Sequence, residues 1–317
     1  MNSSACISLT EVTKVFKTGL LKTKTAVDNL NLEVPAGEVV GLLGPNGSGK
    51  STTMKMILGF LKPTLGEILI CGESSNNISA RAYIGYLPEN PRFQKFLTGK
   101  EILIYYGKLL GLQGTHLKNR IELLFELVNL KHAAFERVQG YSKGMTQRLA
   151  IAQSLLNQPA LLIFDEPMSG LDPLGRIEMR NLISTIHAEN PKTTIFFSSH
   201  VLEDVETLCK SVALLQKGKL KTYTSIESLI SSDQQKYDIV IKNLSPSLEL
   251  ELFGKNTSKS VATGKSFSIE GPERLSWVIS QLLKTPAQII GITGQRRQLE
   301  EALFKASEVF TKTEMPA

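Results

Sequence analysis

The stretch that decides the fold of this 317-residue chain is Gly44-Pro45-Asn46-Gly47-Ser48-Gly49-Lys50-Ser51-Thr52. It fits the pattern G-x-x-x-x-G-K-[ST], in which glycines let backbone N–H groups point inward at an anion. The apolar run 38–43 predicts a buried strand, and residues 53–58 predict a helix whose N-terminus adds positive partial charge. A glycine-rich turn that binds nothing would not need this context. The stretch therefore predicts a nucleotide-phosphate site, with Lys50 on the β- and γ-phosphates and the Ser51 hydroxyl on Mg²⁺.

Length and charge indicate about two domains of different character. Residues 226–317 carry eleven Lys/Arg and eleven Asp/Glu, so the net charge of +6 lies entirely in residues 1–225. A phosphate-binding domain accounts for part of that excess, and an anionic membrane surface or nucleic acid would account for the rest. Nucleic acid is not expected as a partner, because no long basic run carries interleaved aromatic residues.

Targeting signals are not expected in this chain. No apolar run approaches the ~18–20 residues that cross a bilayer, so no transmembrane segment is predicted. The N-terminus lacks a basic region followed by an apolar one, so no signal peptide is predicted. Cys6, Cys71 and Cys209 are odd in number and show no paired spacing, which indicates reduced thiols in a cytoplasmic protein.

The chain before residue 98 alternates short strands with turns. Residues 7–16 and 30–34 are strand-like, with a polar loop at 17–25 between them. Phe16 ends the first strand, and two interpretations of it stay open: a core aromatic, or a flat platform on which adenine stacks. Residues 98–157 are helical and begin with the capping box Thr98-Gly99-Lys100-Glu101. We interpret them as a helical subdomain, about 95–158, inserted into a strand-rich domain.

Two buried strands that follow the insertion end in polar side chains. The apolar run 161–164 predicts a strand of a parallel sheet, and Asp165-Glu166 comes directly after it. A second apolar run, 194–197, leads through two serines to His200. Carboxyl ends of parallel strands are where α/β sheets place their chemistry. A solvated strand end is the alternative for the carboxylate pair, and a structural histidine is the alternative for His200.

A second, smaller domain is predicted from about residue 225. Strand candidates are 237–241, 265–269 and 288–292, and helix candidates are 273–284 and 298–310. Trp277 shares a helix face with Leu275, Val278 and Leu282, which indicates a core position. A small α+β domain of about ninety residues fits this pattern.

Three later motifs resemble those of ABC-type ATPases. Tyr141-Ser142-Lys143-Gly144-Met145-Thr146-Gln147-Arg148 is similar to their signature motif. Leu161-Leu162-Ile163-Phe164-Asp165-Glu166-Pro167 looks like their Walker B strand, and Ser169-Gly170-Leu171-Asp172 like their D-loop. His200 matches their switch histidine. The resemblance covers about residues 7–222, with all elements in family order.

The resemblance implies a fold and a division of the chain. The expected fold is α/β, a P-loop NTPase of ABC type with a mixed sheet core, an inserted helical subdomain and a small C-terminal α+β domain. The ABC ATP-binding domain is expected at 1–224 and the accessory domain at 225–317.

The resemblance also assigns roles to residues. ATP and Mg²⁺ are the expected cofactors, with Ser51 and Asp165 as the oxygen ligands of the metal. Glu166 is expected to polarise the attacking water as general base, and His200 to contact the γ-phosphate. Ser142 and Gly144 are expected to bind the γ-phosphate held by another copy, which implies a homodimer on ATP binding, and Asp172 is expected at that dimer contact.

Two positions depart from the usual family pattern. Met145 stands where the signature commonly has Gln, but Ser142 and Gly144 are kept. Glu89 stands where most relatives carry the Gln of the Q-loop. Its carboxylate either accepts from water or metal beside the γ-phosphate, or points away as a solvated loop residue.

The loop 86–91 and the tail 299–304 resemble those of ATP-binding subunits of bacterial ABC-2-type exporters. That resemblance implies separately encoded membrane permease subunits and a peripheral place on the cytoplasmic face of the cell membrane. Two alternatives remain: a non-transport ABC ATPase acting on nucleic acid or the ribosome, and a nucleotide-dependent regulatory module. The first usually has two ABC units or a long coiled coil, and the second has no need of a general base such as Glu166.

Overall fold

The computed structural model describes residues 5–17, 22–230, 236–254, 259–261 and 264–295. The chain divides into two compact units, Met1–Ile226 and Glu227–Ala317. Strands of the first unit are β1 (Ala5–Lys17), β2 (Thr23–Pro35), β3 (Val39–Leu43), β4 (Leu65–Ile70), β5 (Glu73–Ser74), β6 (Ile84–Leu87), β7 (Leu161–Asp165), β8 (Thr194–Ser199), β9 (Ser211–Gln216) and β10 (Lys219–Ser225). Its helices are α1 (Lys50–Ile57), α2 (Gly99–Leu109), α3 (Gly114–Leu127), α4 (Lys143–Ser154), α5 (Pro173–Glu189) and α6 (Leu202–Leu208), and α7 (Ile226–Ile230) begins at the division.

A six-stranded mixed sheet forms the centre of the first unit, in the order β10-β9-β3-β8-β7-β6. Strands β9, β3, β8, β7 and β6 are parallel, and β10 turns back antiparallel to β9. The large side chains Phe164, Phe196 and Phe197 are fully buried, as expected for strands covered on both faces. The carboxyl ends of β3, β7 and β8 meet at one edge, which brings three distant parts of the chain together.

A second, antiparallel sheet has the order β2-β1-β4-β5. Strand β2 begins at Thr23, so the predicted polar loop 17–25 is shorter than expected and the predicted strand 30–34 is longer. The extension exists because β1 and β2 pair as far as Lys17 and Thr23. This part of β2, an edge strand, consists mainly of polar residues. It therefore lacks the apolar pattern from which a strand is predicted.

The predicted helical insertion is present between β6 and β7. Thr98 caps α2 through the capping box: its side chain accepts from the Glu101 N–H at 3.2 Å, and the Glu101 carboxylate accepts from the Thr98 N–H at 2.8 Å. Helix α3 starts at Gly114, earlier than residue 119 where the apolar period becomes regular. Ser142 caps α4 by accepting from Met145 N–H at 3.2 Å.

The second unit is a split β-α-β-β-α-β arrangement. Its elements are β11 (Lys236–Lys242), α8 (Pro246–Phe253), β12 (Lys259–Val261), β13 (Gly264–Glu270), α9 (Pro272–Leu282) and β14 (Gln288–Gln295), and the antiparallel sheet has the order β12-β13-β11-β14. Phe253 stacks on Phe267 at 4.0 Å between ring centroids in its core. The predicted strands 237–241, 265–269 and 288–292 are observed, β12 was not predicted, and the predicted helix 298–310 lies outside the described residues.

The prediction that Trp277 belongs to the core is wrong. Its side chain is 46% exposed, whereas Val278 and Leu282 on the same helix are fully buried. Successive helical residues differ by about 100°, so a helix that buries 278 and 282 turns 277 toward its flank.

Candidate functional site

The glycine-rich loop opens a cavity of about 520 Å³ at the carboxyl end of the central sheet. The residues that line it are Lys24, Thr25, Ala26, Pro45, Asn46, Gly47, Ser48, Gly49, Lys50, Ser51, Thr52, Glu89, Glu166, His200 and Lys217. Eight of the nine residues of the loop are therefore at the cavity wall. Gly44 is the exception, but its carbonyl oxygen accepts a hydrogen bond from Lys50, which does line the cavity.

The conformation of the loop depends on its glycines. Gly47 and Gly49 have φ values of +80° and +109°, which L-amino acids with a side chain rarely adopt. A Cβ on Gly44 would lie 2.2 Å from the Leu215 carbonyl oxygen, so only glycine fits there. Helix α1 starts at Lys50 without a side-chain cap and without an acidic residue in its first turn. Its free N–H groups at the cavity are the partners that an anionic phosphate needs.

Lys50 is held at the wall of the cavity by the loop itself. Its side chain is 7% exposed, and its Nζ donates to the Gly44 carbonyl oxygen at 2.6 Å. The same Nζ lies 3.8 Å from Glu166 Oε1. A cation in this position would neutralise phosphate oxygens, and this role of Lys50 stays a prediction.

The carboxylate pair is ordered by a serine on the neighbouring strand. Asp165 and Ser198 are paired in the register of β7 and β8. The Ser198 hydroxyl donates to Asp165 Oδ1 at 2.7 Å and accepts from the Glu166 N–H at 3.0 Å. Glu166 has a φ of +48°, an unusual conformation for a non-glycine residue. Glu166 lines the cavity, whereas Asp165 is half-buried and does not line it.

Glu166 contacts both Lys50 of the glycine-rich loop and His200. His200 Nδ1 lies 2.8 Å from Glu166 Oε2, so a protonated Nδ1 donates to the carboxylate. Lys50, Glu166 and His200 thus form a continuous polar chain around the cavity. The predicted roles of general base and γ-phosphate contact require both side chains at one site, and both line this cavity.

The oxygen groups near the cavity fit a magnesium ion. Burial raises the pKa of Asp165, the Ser198 hydrogen bond lowers it, and the carboxylates of Glu166 and Glu89 raise it further. Such a cluster of negative charge is relieved by a divalent cation. Among the described residues no group of three His, Cys, Asp or Glu has metal-binding geometry. Mg²⁺ needs no such group, since Ser51, Asp165, phosphate oxygens and water would supply the hard oxygen ligands that it prefers.

Ser198→Ala is expected to slow hydrolysis by roughly 10-fold or more, because a 1.4 kcal/mol change is a factor of ten and a buried unpaired group costs ~1–3 kcal/mol. The variant leaves the Glu166 N–H unpaired and removes the bond that lowers the pKa of Asp165. Because Asp165 must be ionised to bind metal, the acid limb of the Mg²⁺-dependent rate should move to higher pH. Steady-state phosphate release between pH 5 and 9 at several Mg²⁺ concentrations measures both effects.

Thr185→Ala is the matched control for that variant, since the Thr185 hydroxyl donates only to the Asn181 carbonyl oxygen on the exposed side of α5. Its rate and pH profile should equal those of the wild type. An unchanged acid limb in Ser198→Ala would show that Ser198 does not position the carboxylate pair.

Glu89 and Phe16 are placed differently with respect to the cavity. Glu89 is exposed, lines the cavity, and accepts from the Ser169 hydroxyl at 3.3 Å. Phe16 does not line the cavity, but it is 36% exposed, so the interpretation as a core aromatic is wrong. Its β2 neighbour Lys24 is at the cavity wall, and Lys14 Nζ lies 5.4 Å from the Phe16 ring centroid. Base stacking on Phe16 stays a prediction.

Ser142, Gly144 and Asp172 all lie outside the cavity lining. Ser142 is exposed at the N-terminus of α4, and Gly144 is half-buried in its first turn. A Cβ on Gly144 would come no closer than 3.8 Å to Leu171, so the position is open. Asp172 caps α5 by accepting from the Gly175 N–H at 2.9 Å. The signature motif and the D-loop thus form a separate surface of the same unit.

Lys24, Thr25, Ala26 and Lys217 line the cavity but were not predicted, and the role of Ser198 was not predicted either. Ser198 is a fully buried residue near the carboxyl end of β8, and a hydroxyl at the end of an apolar strand is the signal that would have found it. Lys217 and Gly218 have φ values of +50° and +82° and form the two-residue turn between β9 and β10. The Gly218 N–H donates to the Ser48 carbonyl oxygen at 2.8 Å, which brings Lys217 to the phosphate loop. Lys24 reaches the wall through the unpredicted start of β2.

Lys217→Gln is expected to weaken nucleotide binding a few-fold, at most about fivefold, because an exposed charge contributes little through solvent. The loss should shrink as ionic strength rises. Nucleotide titration by calorimetry at low and high salt measures it. Lys219→Gln is the control, since Lys219 Nζ lies 3.4 Å from Asp28 Oδ2 and does not line the cavity. Equal affinities in the two variants would exclude Lys217 from the site.

Comparisons with known proteins agree with this geometry. The family model described as ABC transporter matches residues 27–169. The bacitracin transport ATP-binding protein BcrA of Bacillus licheniformis is 42% identical over 219 residues, 68% of this chain and 69% of its own length. A dimeric post-hydrolysis structure of the ATP-binding cassette MJ0796 with ADP and Pi has a TM-score of 0.62 at 26% identity, over 69% of this chain and 98% of its own.

A second solved structure, cbiO1 from Clostridium perfringens, part of the ABC transporter complex cbiONQ, has a TM-score of 0.65 at 25% identity. It covers 72% of this chain and 91% of its own. The expected α/β P-loop NTPase fold of ABC type is confirmed. This chain belongs to the family of ABC transporter ATP-binding proteins.

Proposed function

We propose that this protein hydrolyses ATP to drive an ABC-2-type exporter, by closing as an ATP-dependent homodimer on separately encoded membrane subunits. The observation that carries the proposal is the composition of the cavity. A phosphate loop, the candidate base Glu166 and His200 surround one space, while Ser142 and Gly144 lie outside it. One copy therefore brings the phosphate loop and the candidate base to its cavity but none of the signature residues.

Hydrolysis is supported by Glu166. A module that only senses nucleotide has no need of a carboxylate beside the γ-phosphate, and Glu166 reaches the cavity lining through an unusual backbone conformation. Ser51 and Asp165 would hold Mg²⁺, which would neutralise phosphate charge during the reaction. Glu166 would orient the attacking water and accept its proton, and His200 would hold the carboxylate in position through Nδ1.

Dimer closure is supported by the separate position of the signature surface. Ser142 and Gly144 present the N-terminus of α4, and a helix N-terminus favours anions. An isologous dimer would set this surface on the phosphates of the opposite copy, twice by symmetry. The MJ0796 cassette, similar in fold and sequence, is described as dimeric with ADP and Pi. Asp172, which caps α5 beside this surface, would lie at the contact.

Membrane subunits and export are the finer part of the proposal. In the described residues no helix has the length and apolar character to cross a bilayer. The relative BcrA is named for bacitracin transport, and cbiO1 is described as part of a transporter complex. Both support a chain that works with separate membrane permeases, at the cytoplasmic face of the membrane. The loop 86–91 resembles that of ABC-2 exporter subunits, while the tail 299–304 lies outside the described residues. A nucleic-acid partner is not proposed.

The test is steady-state ATPase of the full chain, alone and reconstituted in vesicles with its candidate membrane subunits. We expect slow hydrolysis alone and a severalfold higher rate with the permease, together with ATP-dependent substrate movement out of the compartment that holds the ATP sites. Stimulation by DNA or RNA instead of a permease would overturn transport. Absence of phosphate release under both conditions would favour a regulatory module.

A further inference from the structure

Two cysteines that are 65 positions apart in sequence meet in the antiparallel sheet. Cys6 is the second residue of β1 and is 3% exposed. Cys71 is half-buried in the two-residue turn between β4 and β5, where it has a φ of +50°. Its N–H donates to the Cys6 carbonyl oxygen at 2.8 Å, and the two Sγ atoms lie 3.4 Å apart. The backbone pairing therefore fixes the two thiols face to face.

This geometry permits a disulfide with small movements. The pairing of β1 with β4 ends at Ile7 opposite Ile70, so Cys6 and Cys71 are the next positions beyond the last pair. Opposed positions of antiparallel strands have Cα atoms about 4.5–5.5 Å apart, within the range of about 4.4–6.8 Å that disulfides span. Closing the Sγ atoms from 3.4 Å to bonding distance, ~2.05 Å, is a short movement. The turn itself does not favour cysteine, since positive φ is better served by Gly, Asn or Asp.

The two thiols differ in reactivity. The hydrogen bond from the Cys6 S–H lowers the pKa of Cys71 to about 7, against burial and the nearby carboxylate of Glu73, which raise it. The same hydrogen bond and burial raise the pKa of Cys6, while its contact with Thr194 lowers it. Tyr83 is the other titratable group on this side, and its pKa is raised by Glu73. An accessible thiolate beside a protonated, buried thiol is the arrangement of a redox-responsive pair.

We propose that Cys6 and Cys71 form a peroxide-reactive dithiol site, with Cys71 as the attacking thiol and Cys6 as the resolving thiol. The Cys71 thiolate attacks one oxygen of hydrogen peroxide, the O–O bond breaks, and hydroxide leaves and takes up a proton, giving the Cys71 sulfenic acid. The Cys6 sulfur then attacks the Cys71 sulfur. The S–O bond breaks, and the departing hydroxide takes the Cys6 proton and leaves as water. Overall two thiols and one peroxide give one disulfide and two waters.

Cys209 is an internal reference for this chemistry. It is 9% exposed, and burial raises its pKa well above the ordinary value. The sulfur packs where a Cβ on Gly41 would meet it at 2.9 Å, so it belongs to the core between β3 and α6. It should keep its thiol at peroxide doses that consume the other two.

The experiment treats the reduced full chain with a small excess of hydrogen peroxide at pH 7, then counts thiols after denaturation. We expect the count to fall from three to one, with one peptide pair joined through Cys6 and Cys71 and full recovery with dithiothreitol. The rate should rise between pH 6 and 8 as Cys71 ionises. A count that stays at three under conditions that oxidise a free cysteine peptide would overturn the proposal, and so would a disulfide between two chains.

Single variants separate the two roles. Cys6→Ser should stop the reaction at the Cys71 sulfenic acid, which dimedone traps. Cys71→Ser should leave Cys6 unreacted, because Cys6 is buried and protonated. Cys209→Ser should lose both remaining thiols at the wild-type rate. Trapped sulfenic acid on Cys6 in place of Cys71 would reverse the assignment and contradict the proposal.

Discussion

Glu166→Gln is expected to lower the rate of ATP hydrolysis by roughly 10²–10⁴-fold, the usual contribution of a general base. The amide keeps the size of the side chain but cannot accept a proton from water at neutral pH. Its carbonyl oxygen still accepts from a protonated His200 Nδ1, 2.8 Å from the carboxylate oxygen in the wild type. The geometry of the cavity should therefore be unchanged although hydrolysis is slowed.

Binding of ATP should be retained in this variant, because Lys50 and the free N–H groups of α1 are untouched. A nucleotide that binds but is not split keeps the closed state populated, so the variant should remain dimeric with ATP and Mg²⁺. Phosphate release measures the first effect, and size-exclusion chromatography with saturating ATP and Mg²⁺ measures the second.

Glu122→Gln is the matched control, since Glu122 is exposed on α3 and does not line the cavity. Its rate and its oligomeric state should equal those of the wild type. A Glu166→Gln protein that hydrolyses at the wild-type rate would remove the base assignment. One that stays monomeric with saturating ATP and Mg²⁺ would count against dimer closure.

Parts of the site that lie in consecutive residues were predictable from the sequence. The loop 44–52, the pair Asp165-Glu166 and His200 each follow a buried strand, and the ends of parallel strands converge. The shared position of the loop, Glu166 and His200 at one cavity follows from the convergence of these strand ends, whereas Asp165 does not line the cavity. The structure adds the distances, and above all the contacts of Glu166 with both Lys50 and His200.

The features that could not be predicted depend on the pairing register of strands and on how a helix is rotated about its axis. Cys6 and Cys71 show no paired spacing, yet the pairing of β1 with β4 sets their sulfur atoms 3.4 Å apart. Lys217 reaches the phosphate loop through a tight turn whose contact partner is far away in sequence. Trp277 shares the apolar stripe of α9 but falls at its edge, where the phase of the helix exposes it. Each case requires a partner element that local sequence does not specify.

Gly144→Asp is expected to abolish ATP-driven dimerisation and to lower hydrolysis by at least about 100-fold, the effect of losing a key phosphate donor. The added carboxylate would meet the γ-phosphate of the opposite copy with like charge. The fold should tolerate it, because a Cβ at this position has no neighbour closer than 3.8 Å and an acidic residue stabilises the first turn of a helix. Nucleotide affinity of the single copy should be unchanged, since Gly144 does not line its own cavity.

Thr115→Asp is the matched control, because it adds the same charge to the first turn of α3, where Thr115 is exposed. That variant should dimerise and hydrolyse ATP normally. Lost ATP binding by the Gly144→Asp protein alone would show that the signature acts on its own copy.

Mixing two defective proteins separates action within a copy from action across the dimer. Lys50→Met removes the phosphate contact but keeps an intact signature, and Gly144→Asp does the reverse. In a mixed dimer the intact loop of one copy faces the intact signature of the other, so one complete site is restored while the second carries both defects. Hydrolysis should therefore reappear in the mixture although each protein alone is inactive. If both motifs act within one copy, no mixture recovers activity, because every chain then carries a broken site.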